Sequence, residues 1–551
     1  MSRFNARSTR PAVHSPVTTT GERTATHEGA TGHLRDAKSE LFLLAVSNFV
    51  GQDVFYEKGG DRDDRYTQLI RQLAVEDPEW TAGLLGWLRG EGNMRTAAIV
   101  GAAEFVKARL DADRISDGFN GSIVWNRRVI ASVLQRPDEP GEMLGYWTSK
   151  YGRKLPKPVK RGIADAVQRL YTGKSLLKYD TASKGYRFGD VLNLVHAAPG
   201  PGKPWQGDLF QYALDRRHNP DAAVPPTSNR TLTARQELMA LSLEERRAVV
   251  TSEGGAERLA AAGMTWEALA GWIQGPMDAA AWEAIIPNMG VMALARNLRN
   301  FDEAGVSDEV AAQICARFTD PEQVARSRMF PFRWWAAYKH APSLRWAHAL
   351  EQALGHSLAN VPALSGRTLI LVDRSPSMFP GYHFSTPNQS DITLAEQAAV
   401  FGSALAMRAE SPTLIEFGGS SKAIDVPKGG SVLKLIEQYG QNDGTDIPTA
   451  IKKHYSGHNR VIIVTDEQTR PGWLPSNMER FGGMRETAID DLVPQTVPVY
   501  MWNMAGYKPG IMPSGTAVRH TLGGLTDQAF RMVPLLEAGR DANWPWIGQT
   551  A

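Results

Sequence analysis

The chain has one cysteine, Cys315, in 551 residues. That excludes an intrachain disulfide framework and any zinc site built from several thiolates, and it makes a reducing cytoplasm the expected setting. No run approaches eighteen consecutive apolar residues, so no membrane span is expected. The opening stretch, MSRFNARSTRPAVHSPVTTTGERTATHEGA, lacks the apolar core of a secretory signal, and Glu22 and Glu28 are foreign to a transit peptide. It reads as an ordered or semi-ordered arm. Net charge is also scarce: 61 Lys and Arg against 59 Asp and Glu leave +2, so attraction to nucleic acid must come from local clusters. No G-x-x-x-x-G-K-[ST] phosphate loop occurs, and HEGATGH has Thr31 where the zinc motif H-E-x-x-H needs histidine.

What is present falls into two grammars. At this length two or more domains are expected. From about Ser39 to about His356 the text is helical, as in RYTQLIRQLAV, MRTAAIVGAAEFVKARL and LPKPVKRGIADAVQRLY. Pro78, Pro140, Pro158 and Pro321 fall at or near helix starts, where a missing N–H costs little. Many helices in series with short breaks predict an α-solenoid of HEAT-like character, curved or closed. Trp334, Trp335 and Cys315 read as packing residues, and His218 and His383 have no assignable role. After about Pro362 short apolar runs (RTLILVD, PTLIEFG, NRVIIVTDE, TVPVYMWNM) alternate with helical stretches, which predicts a parallel sheet covered on both faces. The expected divisions are an arm over 1–36, a helical-repeat domain over 37–362, an α/β domain over 363–540 and a tail over 541–551.

Two of the strands end in acids. Asp373 in LILVDRS and Asp466 in VIIVTDE should lie on the same sheet edge, where ligands of parallel sheets bind. Between them in sequence, NDGTDIP supplies Thr445. Asp373, Ser375, Ser377, Thr445 and Asp466 can therefore converge, a donor set suited to a hard divalent cation. A nucleophilic serine would want flanking glycines that DRSPSM lacks. A phosphotransferase aspartate would want a second acid where Ser375 stands. A merely polar turn is the plain alternative. Metal-dependent hydrolysis would need a general base, and Glu467 is the only one nearby.

The helical half holds one strongly charged stretch. Between Lys150 and Arg187 stand eleven Lys and Arg against Asp165 and Asp180 alone, with Tyr151, Tyr171, Tyr179 and Tyr186 interleaved and His196 following. A solvated helix face is the bland reading. Against it, Gly152, Pro156 and Pro158 gather Arg153, Lys154, Lys157, Lys160 and Arg161 at a helix start, which itself favours anions. Basic residues among aromatics suit phosphate contact and base stacking, and no recognition helix points to duplex DNA.

D-x-S-x-S, then a loop threonine and a strand-end aspartate, resembles the metal-ion-dependent adhesion site of von Willebrand factor A domains. There the open position of the cation takes a partner's carboxylate; Arg374, beside the site here, would tune which anion docks. In fixed order, GRKLPKPVKRGIADA, KYD…YRFGDVLNLVH, IIPNMGVMALARNLRNF and LVDRSPSM…GTD…TDE together resemble the Ro60 autoantigen family, including its bacterial members. The resemblance implies a TROVE module forming an α-helical HEAT-like ring, closed by the A domain. It further implies a non-catalytic protein of RNA quality control, binding structured Y-like RNA and the 3′ single-stranded ends of misfolded RNA. Lys178 and His196 match the family's RNA-contacting lysine and histidine, with Lys184 or Arg187 in place of its arginine. Lys154, Lys157, Lys160 and Arg161 complete the expected RNA surface. The cation expected at Asp373, Ser375, Ser377, Thr445 and Asp466 is Mg, with Mn or Ca as alternatives. Polynucleotide phosphorylase, tethered through Y RNA in prokaryotic relatives, is a permitted partner. The competing reading is a metal-dependent protein-docking scaffold without RNA.

Overall fold

A computed structural model describes residues 13–47, 50–114, 125–341, 343–379, 393–428, 430–475, 484–515 and 518–547. His383 lies outside the described residues. The chain divides into two compact units: Met1–Leu69 with Met329–Ala336 and Glu351–Ala551, and Ile70–Arg328 with Ala337–Leu350.

The first unit is built on sheets. Its strands are β1 (Thr19–Ala25), β2 (Thr31–Arg35), β3 (Leu364–Asp373), β4 (Ala409–Phe417), β5 (Ser421–Ile424), β6 (Arg460–Thr465), β7 (Trp473–Pro475), β8 (Met484–Glu486), β9 (Val499–Asn503), β10 (Pro509–Gly510) and β11 (Arg519–Gly523). Six of them form one sheet in the order β11-β9-β6-β3-β4-β5, parallel except for the edge strand β5. The apolar runs of β3 and β6 are buried on both faces, as a covered parallel sheet requires. On one face Leu369, Leu371, Ile463 and Met501 pack on Ile447 and Ile451 of the helix Ile447–His454. The helix Leu394–Arg408 lies so close to β3 that a Cβ at Gly402 would collide with a Val372 methyl. The expected strands and helices of this half are therefore present. β1 and β2 form a hairpin whose inner strand pairs with β10, giving a separate three-stranded antiparallel sheet.

The second unit is helical throughout its described residues. Side-chain caps start many of its helices: Asp77, Thr172, Ser242, Thr265, Asp278 and Asp320 each accept a first-turn backbone N–H. Pro78 and Pro321 open their helices, and Pro140 and Pro158 stand second in theirs, as the sequence pattern predicts. The helix Lys157–Leu170 buries Val159, Ile163, Ala166 and Val167, one stripe at helical spacing. It meets the helix Trp125–Val133 so closely that a Cβ at Gly162 would lie 2.7 Å from the Arg127 carbonyl oxygen. Trp334 and Trp335 are buried, as expected of packing residues, and Cys315 is half-buried.

Candidate functional site

The basic segment runs from the end of the helix Glu139–Tyr151 to the start of Phe188–Val195. Gly152 ends the first of these at φ 78°, a left-handed value that suits glycine. Leu155 then anchors the loop inward, and the Trp147 indole N–H donates to the Lys154 carbonyl (3.4 Å). Arg153 and Lys154 are left facing water, and Lys157 and Arg161 follow on the exposed side of the next helix, with Lys160 half-buried. Among the described residues these five cations make no ion pair. Nor do they serve their own helix. Its N-terminus carries roughly half a positive charge, so each added cation there costs about 0.3–1 kcal/mol at low salt. The first turn contains no acid to offset them.

The rest of the segment divides. Lys174, Lys178 and His196 are exposed. Lys178 lies over the Tyr179 ring at 5.4 Å, and His196 ends its helix in the left-handed region (φ 54°). Lys184 and Arg187, both expected to contact RNA, are engaged within the protein. Lys184 pairs with Asp138 at 3.2 Å, and Arg187 pairs at 2.8 Å with Asp180, whose side chain is fully buried. Lys150 pairs with buried Glu104, and Arg169 donates to the carbonyls of Ala131 and Leu134. The tyrosines do not form the expected stacking surface. Tyr171 is buried against Phe188, Tyr151 donates to Glu104 and takes Lys107 and Lys150 on its ring, the Tyr186 hydroxyl bonds Thr148, and Tyr179 takes Lys178 and Arg136 on its ring.

The second candidate site lies in the other unit. β3 and β6 are neighbours with Val372 opposite Val464, so Asp373 and Asp466 emerge side by side at one sheet edge. The Asp373 carboxylate accepts from Ser375 N (2.8 Å) and Thr465 Oγ1 (2.5 Å). The Ser375 and Ser377 hydroxyls are 3.1 Å apart. Gln468 N donates to Asp466 Oδ1 at 3.0 Å, whereas Asp466 Oδ2 is buried with no hydrogen-bond partner. The Thr445 carbonyl accepts from Arg470 N (2.9 Å), which holds its loop against the chain beyond Asp466. Asp373, Ser375, Ser377, Thr445 and Asp466 are all 2% exposed or less. Burial raises both carboxyls, and the adjacent Asp373 helps push Asp466 up to about 8. Two buried acids, an orphaned oxygen and three hydroxyls fit a hard divalent cation. Among the described residues no group of three or more His, Cys, Asp or Glu offers a rival seat.

One sequence expectation fails here, and the disfavoured hydrolytic alternative loses its candidate base. Arg374 does not face an incoming anion. It is buried, donates to the Gly440 and Ala395 carbonyls (both 2.6 Å) and lies over the Phe379 ring. Glu467 is not a free base: it is buried in an ion pair with Arg35 (2.5 Å) and accepts from Asn503 Nδ2 and Ile511 N. Arg35, His27 and Tyr56 near this loop carried no local signal in the sequence, because Glu467, Gln468 and Tyr507, which they meet here, lie hundreds of residues away.

The TROVE domain family model matches residues 261–344, a stretch that includes all of IIPNMGVMALARNLRNF and lies outside the basic segment. Among solved structures, the Deinococcus radiodurans Ro (RSR) protein is similar at a TM-score of 0.58 and 15% identity, over 90% of this chain and all of that one. The chain thus carries a TROVE-matching stretch and shares the fold of a bacterial Ro protein. Its fold class is the expected one, with HEAT-like helical repeats and a von Willebrand A-like α/β domain carried by one chain. No curated protein matches it. Among the described residues no helix of the chain is long and apolar enough to cross a membrane.

Proposed function

We propose that this Ro60-like chain is a non-catalytic RNA-binding protein that holds RNA on the surface formed by Arg153, Lys154, Lys157, Lys160 and Arg161, extended by Lys178 and His196. One observation carries the reading: five cations crowd the positive end of a helix without an acid to neutralise them among the described residues. Such an arrangement costs stability unless an anion is brought to it. RNA phosphates are that anion, and the Ro60-like fold favours structured Y-like RNA and the 3′ single-stranded ends of misfolded RNA, within RNA quality control in the cytoplasm. Polynucleotide phosphorylase would then be a partner through RNA. Asp373, Ser375, Ser377, Thr445 and Asp466 hold a divalent cation, Mg before Mn or Ca, in a structural role. Glu467 supports the non-catalytic reading, since its buried pairing with Arg35 leaves its own carboxylate unable to serve as the base that hydrolysis would need.

The test is anisotropy with a labelled RNA hairpin carrying a 3′ single-stranded tail. The triple variant Lys154→Glu, Lys157→Glu, Arg161→Glu should bind at least about 100-fold more weakly at physiological salt. Unchanged affinity would refute the surface. The protein-docking alternative is disfavoured by the closed seat, whose five donors are buried rather than presented.

A further inference from the structure

The turn and second strand of the β1–β2 hairpin reach the chain immediately beyond Asp466 at four consecutive positions. Arg35 pairs with Glu467, both side chains being buried. His27 N donates to Gln468 Oε1 at 2.9 Å, and Thr26 Oγ1 donates to the Thr469 carbonyl at 3.0 Å. Arg470 Nε donates to Glu28 Oε2 at 3.2 Å. The His27 ring stacks on Tyr56 at 4.7 Å, and the Tyr56 hydroxyl donates to the other oxygen of Glu28 (2.5 Å). Arg35 also donates to the Tyr507 carbonyl (3.1 Å).

This attachment falls where the backbone needs support. Glu467 stands at φ +65°, a left-handed conformation that costs a non-glycine residue about 1–3 kcal/mol and persists only where its surroundings enforce it. Arg35, Asn503 Nδ2 and Ile511 N enforce it together. The residue so constrained directly follows Asp466, and in the same turn Gln468 N holds Asp466 Oδ1 (3.0 Å), so the turn helps fix the carboxylate whose Oδ2 is orphaned.

We propose that the β1–β2 hairpin is a latch for the cation loop, with Arg35 and Thr26 as positioning residues: docking of the hairpin prepares the seat, and the cation in turn holds the hairpin down. The proposal rests on the reading of Asp373 to Asp466 as a cation seat. Coupling of this kind is reciprocal by necessity, so it has two readouts. A hairpin that is mere cover would move neither.

The experiment uses the full chain, stripped of metal and titrated with Mg²⁺ by calorimetry at constant pH. Arg35→Met should weaken Mg²⁺ binding by about 10-fold or more, the usual effect of losing an outer support of a metal site, and Thr26→Val by a smaller factor. In wild type, Mg²⁺ should slow deuterium uptake by residues 26–35 while leaving the helix Lys157–Leu170 unchanged, and Asp373→Ala should abolish that protection. If Arg35→Met does not fold, Thr26→Val decides, since it removes only a hydroxyl. Wild-type binding with unchanged affinity in the folded variants would overturn the latch and leave the seat standing. No Mg²⁺ binding by wild type would remove the seat and the latch with it.

Discussion

At the residue scale, what matters is which of the eleven basic residues between 150 and 187 are already paired. Their number was legible in the sequence, but their freedom was not. Lys184 and Arg187 looked equivalent to Lys154 and Lys157, yet folding brings Asp138 and Glu142 to Lys184, and Asp180, seven residues earlier in the segment, turns in to Arg187. Arg187→Ala should therefore act on stability, not on RNA. It leaves the fully buried Asp180 carboxylate with the Phe188 N–H (2.9 Å) and, as its remaining cation, Arg216 at 3.8 Å. The expected loss is about 2–3 kcal/mol by urea unfolding, with RNA affinity of the folded fraction within about twofold of wild type. A large loss of affinity without a loss of stability would return Arg187 to the RNA surface.

At the element scale, the runs that could be read were those whose composition is forced by burial. β3 and β6 are apolar because both faces are covered, so four of their residues in a row announce a strand. β1, TTGERTA, has six of seven residues exposed and no alternation; backbone pairing with β2 holds it, and nothing in its side chains says so. The same limit hid Glu104, an acid fully buried in the middle of the helix Arg95–Asp111. Burial alone would raise its carboxyl. Hydrogen bonds from Tyr151, Tyr146 and Lys150 outweigh burial and hold it below the ordinary 4.5. A carboxyl held low in the folded state contributes its stabilisation fully above its unfolded value and loses it as pH falls through the folded one. Glu104→Gln should therefore cost about 2 kcal/mol at neutral pH, and the gap to wild type should close as pH drops below about 4.5 in urea melts. A gap that widened in acid would contradict this assignment.

At the scale of the whole molecule, two numbers pull apart: a net charge of +2, and eleven bases against two acids within 38 residues. The domain grammar was legible because helical and strand periodicities differ throughout the two halves. The attachment of residues 13–47 and 50–69 to the sheet-bearing unit was not, since it depends on pairs such as Arg35 with Glu467 and Arg62 with the Ala505 carbonyl. The local concentration of charge is what the functional reading uses, and cations that neutralise phosphates release counterions, which ties affinity to salt. The deciding measurement is the salt dependence of RNA affinity for wild type and for the Lys154→Glu, Lys157→Glu, Arg161→Glu variant, between about 50 and about 200 mM monovalent salt. Wild type should lose affinity steeply, and the variant's log–log slope should be shallower by about 2, roughly 0.7 for each single-strand phosphate contact removed. Equal affinity of wild type at both ends of that range, or the same slope for both proteins, would contradict the account.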